Sequence, residues 1–380
     1  MKPIQVMVVD DSAFMRQTIK GMIEEDDRIQ VVATARNGRD ALKKLSLYRP
    51  DVITLDIVMS GDMDGLQVLR RIMEIQPTPT IMVSGASDEN ANYVIEAISN
   101  GAFDFIFKPT GKMSEIDRIQ KELQTKLLQA VLSRKTVRPA PESWAGTPQP
   151  AGSPLSDQTD ISSIGRGSEQ AEKVQHQPPQ ARPAFSAESN PLVFIGTSTG
   201  GPKALQIVIP AFKKDLSAPV LVVQHMPPQF TRSLAERLDQ MSELTVSEAR
   251  EGDILENGHA YIAPGGRHLQ LEEKGRQLIV HLLNTPPLHG VKPSADVTLE
   301  SFLKIRNHAM ILALLTGMGR DGADGLAALK ERGGDVYTLA ESEATCVVFG
   351  MPKAAIETGK VDRVADLQDI SAVISNQIFQ

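Results

Sequence analysis

Residues 192–201 read LVFIGTSTGG, and this stretch decides the fold of the second half of the 380-residue chain. A short apolar run that ends in glycines and continues as PKAL at 202–205 is typical of a buried strand turning sharply into a helix. Such a turn places Ser198 at the end of the strand, beside the positive end of a helix dipole. The spacing from Gly196 to Gly200 fits the G-x-S-x-G pattern of a nucleophilic serine. A phosphate- or dinucleotide-binding turn of Rossmann type is an equal alternative at this point.

Apolar runs and amphipathic segments divide the rest of the chain into three parts. Residues 1–135 contain five such β-α units, which predict a flavodoxin-like, doubly wound sheet of five parallel strands with ligands at the strand carboxyl ends. Residues 136–190 are rich in Pro, Gln, Ser and Gly and predict a flexible linker. In residues 191–380 the alternation returns and predicts a second doubly wound, mostly parallel α/β domain.

Composition excludes several classes of protein. The net charge of −7, the pI near 5.6 and the absence of a basic stripe argue against nucleic-acid binding. The single cysteine, Cys346, excludes an internal disulfide framework, and its apolar neighbours indicate a small buried residue rather than a nucleophile. No signal peptide is evident, and the longest apolar stretch, 309–315, is far shorter than the ~18 residues of a membrane span. We therefore expect a cytoplasmic protein that does not insert into membranes.

Chemically reactive side chains follow the strands of the first domain: Asp10 and Asp11 the first, Asp56 the third, Ser84 the fourth and Lys108 the fifth. In a parallel sheet these ends converge, and three carboxylates brought together repel one another. A hard divalent cation such as Mg²⁺ relieves that repulsion and leaves room for a phosphoryl oxygen. A carboxylate can itself be the nucleophile and form an aspartyl-phosphate. Ser84 and Lys108 could contact further phosphoryl oxygens, so the set predicts a phosphoacceptor site.

On these five positions, residues 1–135 resemble a two-component receiver domain. The resemblance implies that Asp56 is the phosphoacceptor and that Asp10 and Asp11 are its acidic partners. It places Mg²⁺ on Asp11 and Asp56 and makes Lys108 the lysine of the pocket. It also implies a cis bond between Lys108 and Pro109.

The loop after Asp56 departs from the receiver pattern. The family usually has D-x-x-M-P-x-M-D-G, whereas residues 56–65 read DIVMSGDMDG, one residue longer and with Ser60 where proline is usual. Gly85, directly after Ser84, adds backbone freedom at a loop that moves with phosphorylation in the family. Neither change removes a chemical group, but both bear on how long a phosphoryl group would last.

If Ser198 is a nucleophile it needs a base and a group that orients the base. His225 directly follows the apolar run 220–224, so it also lies at a strand carboxyl end. Asp321 follows a third such run, 311–315, and lies among glycines that permit close approach of the backbone. Three other histidines compete with His225, namely His259, His268 and His289. Asp324 competes with Asp321 but is predicted to cap a helix or lie on its surface.

Five motifs together resemble the bacterial chemotaxis protein-glutamate methylesterase family: GTSTGG at 196–201, QHMP at 224–227, YIAPG at 261–265, TGMGRDG at 316–322 and VVFGMP at 347–352. The resemblance implies that Ser198, His225 and Asp321 are a catalytic triad. The implied substrates are glutamyl methyl esters, and secondarily glutamines, of methyl-accepting chemoreceptors. No cofactor is implied for this reaction, and the N–H of Thr199 is our candidate oxyanion donor.

The first domain is then expected to be a switch. Unphosphorylated, it packs over the catalytic face, and phosphorylation by a histidine kinase of the chemotaxis type shifts that equilibrium. The sequence does not choose between chemotaxis proper and a related signalling pathway.

Three other functions compete with this interpretation. One is a phospho-switch whose second domain only binds a partner. A nucleotide-binding reductase is disfavoured because the turn lacks a full G-x-G-x-x-G and no clear ribose-binding acid follows it. A DNA-binding regulator is disfavoured by the acidic balance and the lack of a helix-turn-helix candidate.

Overall fold

The computed structural model describes residues 2–85, 88–109, 113–133, 185 and 190–378. The predicted linker, 136–190, lies outside the described residues except for Phe185 and Asn190, so its flexibility and the domain boundaries on either side stay predictions. None of the described helices combines the length and apolar character that a membrane-spanning segment needs.

Within the described residues, the first domain alternates five strands with five helices. In chain order they are β1 Ile4–Val9, α1 Ala13–Glu24, β2 Ile29–Ala35, α2 Gly38–Tyr48, β3 Val52–Asp56, α3 Gly65–Ile75, β4 Thr80–Ser84, α4 Asp88–Ser99, β5 Asp104–Phe107 and α5 Met113–Ser133. The sheet order is β2-β1-β3-β4-β5 and every pairing is parallel. The predicted flavodoxin-like five-stranded sheet is confirmed.

Side-chain caps start the helices on the edge where the strands end. Ser12 accepts a hydrogen bond from the amide of Met15 and begins α1. Asp64 and Gln67 form a reciprocal capping box at the start of α3. Each such cap stabilises its helix by roughly 1 kcal/mol and fixes where the β-α loop ends. The loops that carry the acidic residues are therefore held at both ends.

The second domain is larger. Its elements are β6 Asn190–Thr197, α6 Gly201–Val208, β7 Val220–Gln224, α7 Phe230–Met241, β8 Thr245–Glu248, β9 His259–Ile262, β10 His268–Lys274, β11 Gln277–Leu283, α8 Ala295–Phe302, β12 His308–Leu314, α9 Ala323–Arg332, β13 Val336–Glu341, α10 Met351–Glu357, β14 Arg363–Ala365 and α11 Ile370–Ile378. A seven-stranded sheet has the order β14-β13-β12-β6-β7-β9-β8, and β10 and β11 form a separate antiparallel hairpin. All pairings of the larger sheet are parallel, which confirms the predicted architecture.

Strand β6 is the topological switch point of this sheet. The chain leaves β6 for β7 on one side and later returns to place β12 on the other side. In open parallel sheets the crevice outside such a point is the usual ligand site. Because β6 and β12 are buried on both faces, their apolar residues fix the register and hold the loops above them in place.

The two domains pack against each other through aromatic and apolar side chains. Helix α4 contacts α7 and α6, and the ring of Phe105 on β5 stacks on Phe230 of α7 with 5.3 Å between ring centroids. Ser99 at the end of α4 donates a hydrogen bond of 2.9 Å to Gln206 of α6. Phe105 and Phe230 belong to one continuous cluster of buried apolar residues that runs through both domains.

One detail implied by the resemblance is wrong. The cis bond between described residues is Lys292–Pro293, and Lys108–Pro109 is not cis.

Candidate active site

Ser198, His225 and Asp321 lie at the carboxyl ends of three adjacent strands of the larger sheet. Ser198 directly follows β6, His225 directly follows β7, and Asp321 ends the loop after β12. The amide of His225 donates to the carbonyl of Thr197, and the amide of Ser198 donates to that of Thr316. The strand-end argument from sequence therefore placed these residues on the same edge of one sheet.

Asp321 is the most heavily hydrogen-bonded of the three. Its Oδ2 lies 2.7 Å from Nε2 of His225. Ser294 Oγ donates to its Oδ1 at 2.7 Å, and the amides of Ala295 and Asp296 donate at 2.6 and 3.2 Å. Burial acts to raise the pKa of Asp321, but the hydrogen bond and positive charge of His225, together with the hydrogen bonds from Ser294 and Ala295, outweigh it and lower that pKa to about 2. The carboxylate therefore stays ionised at the amino end of α8 and can hold the imidazole of His225 through Nε2–H.

This pairing selects the nitrogen of His225 that can act as a base. With Nε2–H directed at Asp321, Nδ1 is left to accept a proton. The carboxylate thereby fixes both the tautomer and the orientation of the ring.

The turn that carries Ser198 is fixed by its backbone. The carbonyl of Ser198 accepts hydrogen bonds from the amide of Gly201 at 2.8 Å and from Nε2 of Gln224 at 3.0 Å. The same Gln224 amide donates to the carbonyl of His225 at 3.2 Å, so one side chain ties the two segments together. Within the described chain no hydrogen bond joins Ser198 Oγ to His225. Catalytic hydrogen bonds are often long without substrate and tighten when it binds.

Two glycines allow neighbouring loops to approach this turn. Gly200 has φ +80°, and a Cβ atom there would lie 2.5 Å from Cβ of Val347. A Cβ atom on Gly317 would lie 2.9 Å from Cβ of Ser198. The motifs TGMGRDG and VVFGMP, which are distant in sequence, therefore pack directly on the serine turn.

The backbone amide of Thr199, the predicted oxyanion donor, lies between Ser198 and helix α6. Thr199 is buried, follows Ser198 and precedes α6. No acceptor for its N–H is found among the described residues. An uncommitted amide after a strand-end serine, at the positive end of a helix, is compatible with the predicted role as an oxyanion donor, which stays a prediction.

The competing histidines have other partners. Nε2 of His259 lies 2.8 Å from Oγ of Ser247, and its ring stacks on Tyr261. His268 is fully buried, with Nε2 3.0 Å from the carbonyl oxygen of Pro286. These contacts engage Nε2 of both rings, and the third competitor, His289, is exposed, whereas His225 is the histidine that contacts Asp321.

Asp324, the rival acid, lies in the first turn of α9 as predicted and pairs with Arg320 at 2.6 Å in an exposed position. Carboxylate or imidazole atoms of His289, Asp296 and Asp324 also lie within 4.8 Å of one another. Because two of these side chains are exposed and Asp324 is engaged with Arg320, we assign no metal there.

The acidic pocket of the first domain contains a buried ion-pair set. Nζ of Lys108 lies 2.7 Å from Oδ2 of Asp56 as a hydrogen bond. It lies 3.0 Å from Oδ2 of Asp10 as an ion pair without hydrogen-bond geometry. Burial raises the pKa of Asp56 to about 6, although Lys108 opposes the shift. Lys108 therefore neutralises part of the charge that the two buried carboxylates bring together.

Asp11 completes the pocket from the side nearer solvent. Its Oδ2 accepts a hydrogen bond of 2.9 Å from the amide of Ser60, which lowers the pKa of Asp11 despite partial burial. Oxygen atoms of Asp10, Asp11 and Asp56 lie within 4.8 Å of one another. Three carboxylates at this spacing suit a hard divalent cation that prefers oxygen, so these residues fit Mg²⁺.

Ser84 lies at the end of β4, buried, as predicted. Its hydroxyl donates to the carbonyl of Gly85 at 3.0 Å. Ser84 would have to turn away from this acceptor to contact a phosphoryl oxygen, so that role stays a prediction.

The sequence analysis did not identify the residues that hydrogen-bond to Asp321 and to the serine turn. Ser294 is the cap of α8 and also binds Asp321. Thr316 contacts the serine turn through both its carbonyl and its hydroxyl group. The Pro-Ser-Ala-Asp run at 293–296 is typical of a helix start, but nothing local indicates that its amides would face Asp321.

Known proteins match both domains. The family model described as response regulator receiver domain matches residues 6–120, and that described as CheB methylesterase matches residues 193–374. A relative from Oceanobacillus iheyensis is 42% identical over 382 residues that cover 100% of both chains. Relatives from Geobacillus kaustophilus and Bacillus subtilis are 44% and 42% identical, each covering 98% of both chains. All three are named protein-glutamate methylesterase/protein-glutamine glutaminase.

Proposed function

This chain belongs to the CheB family of protein-glutamate methylesterases with a receiver domain, and from that premise we propose that it demethylates chemoreceptors with Ser198 as nucleophile. The observation that carries the proposal is the 2.7 Å contact between His225 and Asp321, on the strand edge that also holds the glycine-rich serine turn. We infer that the substrates are γ-glutamyl methyl esters on the cytoplasmic helices of the receptors, which places the enzyme in the cytoplasm.

In the acylation step, Ser198 Oγ attacks the ester carbonyl carbon while Nδ1 of His225 takes the hydroxyl proton. Asp321 stabilises the imidazolium through Nε2–H. The negative oxygen of the tetrahedral species accepts a hydrogen bond from the amide of Thr199, a donor worth ~3 kcal/mol. The tetrahedral species then collapses, the C–O bond to the methoxy group breaks, and His225 returns the proton so that methanol leaves.

Deacylation repeats these roles with water as the nucleophile. His225 takes a proton from water, the hydroxide attacks the glutamyl ester of Ser198, and the serine leaves with the proton from His225. Free glutamate side chain and free enzyme result. A glutamine substrate follows the same steps with ammonia as the leaving group, which gives deamidation as a second activity. All these groups belong to the chain, so the proposal uses no cofactor for ester hydrolysis.

We further propose that Asp56 accepts a phosphoryl group from a histidine kinase of the chemotaxis type. Asp11 and Asp56 would hold Mg²⁺, with Asp10 as the third carboxylate of the pocket. When bound, this cation neutralises negative charge on the phosphoryl oxygens and the carboxylates. Lys108, already 2.7 Å from Asp56, supplies the remaining positive charge.

The contact between the domains supports a regulatory role for this phosphorylation. Phe107 directly precedes Lys108 and meets Phe230, which begins α7 only five residues after His225. A change in charge at Asp56 that moves β5 would therefore act on the segment that carries the catalytic base. We propose that the docked receiver restricts access to Ser198 and that phosphorylation shifts the docking equilibrium.

The test is methanol release from methylated receptor membranes, comparing wild type with Ser198→Ala, each with and without a small-molecule phosphodonor and Mg²⁺. Release that depends on Ser198 and rises with the phosphodonor supports both parts of the proposal. Release that depends on Ser198 but does not rise with the phosphodonor supports the esterase reaction and contradicts its regulation by phosphorylation. If Ser198→Ala releases as much methanol as wild type, the proposed nucleophile is wrong.

The alternative of a binding-only second domain is tested by the same variant. Ser198→Ala removes one oxygen atom from a partly exposed position. Loss of methanol release with unchanged binding to receptor membranes would argue against the binding-only function.

A further inference from the structure

Glu341 is a fully buried carboxylate that the proposed reaction does not use. It ends β13, next to β12, and among the described residues no ion pair joins it to a lysine, arginine or histidine. Burial raises the pKa of Glu341, against hydrogen bonds from Thr316 and Thr345. Burying a carboxylate without a cationic partner lowers the stability of the fold. We therefore ask whether the contacts of Glu341 serve the proposed reaction.

The carboxylate of Glu341 is bound at both oxygens. Oε2 accepts a hydrogen bond of 2.7 Å from the amide of Thr316, and Oε1 accepts one of 3.0 Å from the hydroxyl of Thr345. Thr345 is held in turn, because its hydroxyl accepts from the amide of Leu367. Glu341 is therefore a fixed acceptor, and it holds Thr316 through the hydrogen bond from the Thr316 amide.

Thr316 contacts three consecutive residues of the serine turn. Its carbonyl oxygen accepts from the amide of Ser198 at 3.0 Å and from the hydroxyl of Thr197 at 2.9 Å. Its own hydroxyl donates to the carbonyl of Thr199 at 2.9 Å. Thr316 thus holds the serine at its own amide and at the residues on both sides of it, so the placement of the Ser198–Thr199 peptide, which carries the N–H of Thr199, depends on where Thr316 lies.

The residue after Thr316 also packs closely on the serine. The next residue, Gly317, approaches Ser198 so closely that a Cβ atom there would lie 3.1 Å from the serine amide nitrogen. A displacement of the strand end by a few tenths of an ångström would therefore be transmitted to the serine turn. A misplacement of about 1 Å at the reacting groups can cost about 10²-fold in rate, and smaller shifts cost less.

We propose that Glu341 is a positioning residue for the nucleophile: by fixing Thr316, it sets the geometry between Ser198 and the amide of Thr199. The inference rests on the proposed role of Ser198. Glu341 itself touches no substrate. Its contribution is made by the acceptor oxygen opposite the Thr316 amide, and its negative charge is not required.

Three replacements separate this role from a contribution to stability. Glu341→Gln keeps an acceptor at the same reach, and its amide group can donate to Thr345. Glu341→Asp keeps the charge but is one methylene shorter, which withdraws the acceptor from Thr316. Glu341→Leu keeps the approximate volume and removes the acceptor. If positioning matters, glutamine is the better replacement; if the charge matters, aspartate is.

The readout is the rate at which a small fluorophosphonate labels Ser198 in the full-length protein, followed by intact mass, together with kcat and KM on methylated receptor membranes. We expect Glu341→Gln to stay within about threefold of wild type. Glu341→Asp and Glu341→Leu should lose about 10- to 100-fold in labelling rate and in kcat, with KM unchanged within about twofold.

A matched control is Asp362→Asn, which disturbs another buried acid next to the same sheet. Asp362 pairs with Lys330 at 2.7 Å and accepts from the amide of Thr338, far in sequence from the serine turn. We expect this variant to lower the temperature of unfolding without slowing the labelling of Ser198. It therefore shows how far a loss of stability alone changes the labelling rate of Ser198.

A labelling rate for Glu341→Asp equal to or above that of Glu341→Gln overturns the inference, as does a folded Glu341→Leu that reacts like wild type. If Glu341→Leu does not fold, the comparison of glutamine with aspartate still decides. Failure of the proposed function has a different signature, because wild type and Ser198→Ala would then be labelled equally.

Discussion

The ring of Phe107, on the last residue of β5, meets the ring of Phe230 edge to face, with 5.0 Å between centroids. Phe107 precedes Lys108 of the acidic pocket, and Phe230 begins the helix that follows His225. Phe105 stacks on the ring of Phe230 and meets that of Phe107 edge to face, so the three rings contact one another. One aromatic cluster thus joins the proposed phosphorylation site to the segment that carries the proposed catalytic base.

Phe107→Ala should therefore weaken docking of the first domain and raise basal methylesterase activity. An aromatic pair contributes about 1 kcal/mol beyond its buried area, which corresponds to a shift of about fivefold in the docking equilibrium. We expect basal methanol release to rise by about two- to tenfold and the stimulation by phosphodonor to shrink in proportion. Phe14→Ala, which removes a ring that is 76% exposed on α1, is the matched control. Unchanged basal release in Phe107→Ala would contradict the regulatory role of this contact.

Asp321→Asn should remove the charge that holds His225 while leaving most of the packing. The asparagine can present an N–H to Nε2, which selects the wrong imidazole tautomer and leaves Nδ1 protonated. We expect kcat to fall by about 10³-fold or more, with little change in KM.

Asp324→Asn is the control for that experiment, because Asp324 pairs with Arg320 at an exposed position and was the rival acid in the sequence. An exposed pair of this kind is worth little, and activity should stay within about twofold of wild type. Equal losses of kcat in Asp321→Asn and Asp324→Asn would contradict the proposal that Asp321 orients His225.

Much of the site followed from the sequence because it is built at strand ends. Residues directly after an apolar run must lie at the carboxyl edge of a parallel sheet, so Ser198, His225 and Asp56 could be placed before any coordinates. Asp321 was harder to predict, since it lies several residues beyond β12. The glycines around it were a stronger indication than its distance from the strand.

What the sequence did not reveal are contacts between segments that are far apart along the chain. The amides of Ala295 and Asp296 reach Asp321 only because the turn before α8 returns to the strand edge. Glu341 likewise reads as the polar end of a strand, and its bond to Thr316 depends on the neighbouring position of β12. Such contacts depend on tertiary packing, which hydrophobic periodicity does not encode.

The amide of Ser60 offers a test of how the acidic pocket holds a cation. The family has proline at this position, whereas the N–H of Ser60 donates to Oδ2 of Asp11 at 2.9 Å. Ser60→Pro removes that donor and should weaken Mg²⁺ binding by about tenfold, because hydrogen bonds behind a metal ligand orient it.

Ser60→Ala keeps the backbone N–H and is the matched control, with Mg²⁺ affinity expected within about twofold of wild type. Isothermal titration of the full-length protein with Mg²⁺ measures both variants without reference to phosphorylation or esterase activity. Equal affinities in wild type and Ser60→Pro would show that Asp11 does not need this hydrogen bond.

Asp296 should make the stability of the second domain depend on pH. Burial raises the pKa of Asp296 to about 6, against the hydrogen bond from the amide of Gly325, and the charge of Asp321 adds to the shift. The ordinary value is 3.8. Because the folded protein binds this proton more tightly than the unfolded chain, the stabilisation is present at pH 4 and is lost as the pH rises towards 6. The size of the effect is on the order of 3 kcal/mol.

Asp296→Asn removes this titration but can keep the acceptor for the amide of Gly325, which donates to Oδ1 of Asp296 at 2.7 Å. Hydrogen exchange in peptides covering β6 and β12, corrected for the intrinsic pH dependence, gives the free energy of opening of the second domain at each pH. The free energy of the variant minus that of wild type should increase between pH 4 and pH 7 and then stay level. Titration of Asp56, whose pKa is also raised to about 6, is the same in both proteins and cancels. A difference that is flat across this range would show that Asp296 ionises in the fold as readily as in the unfolded chain.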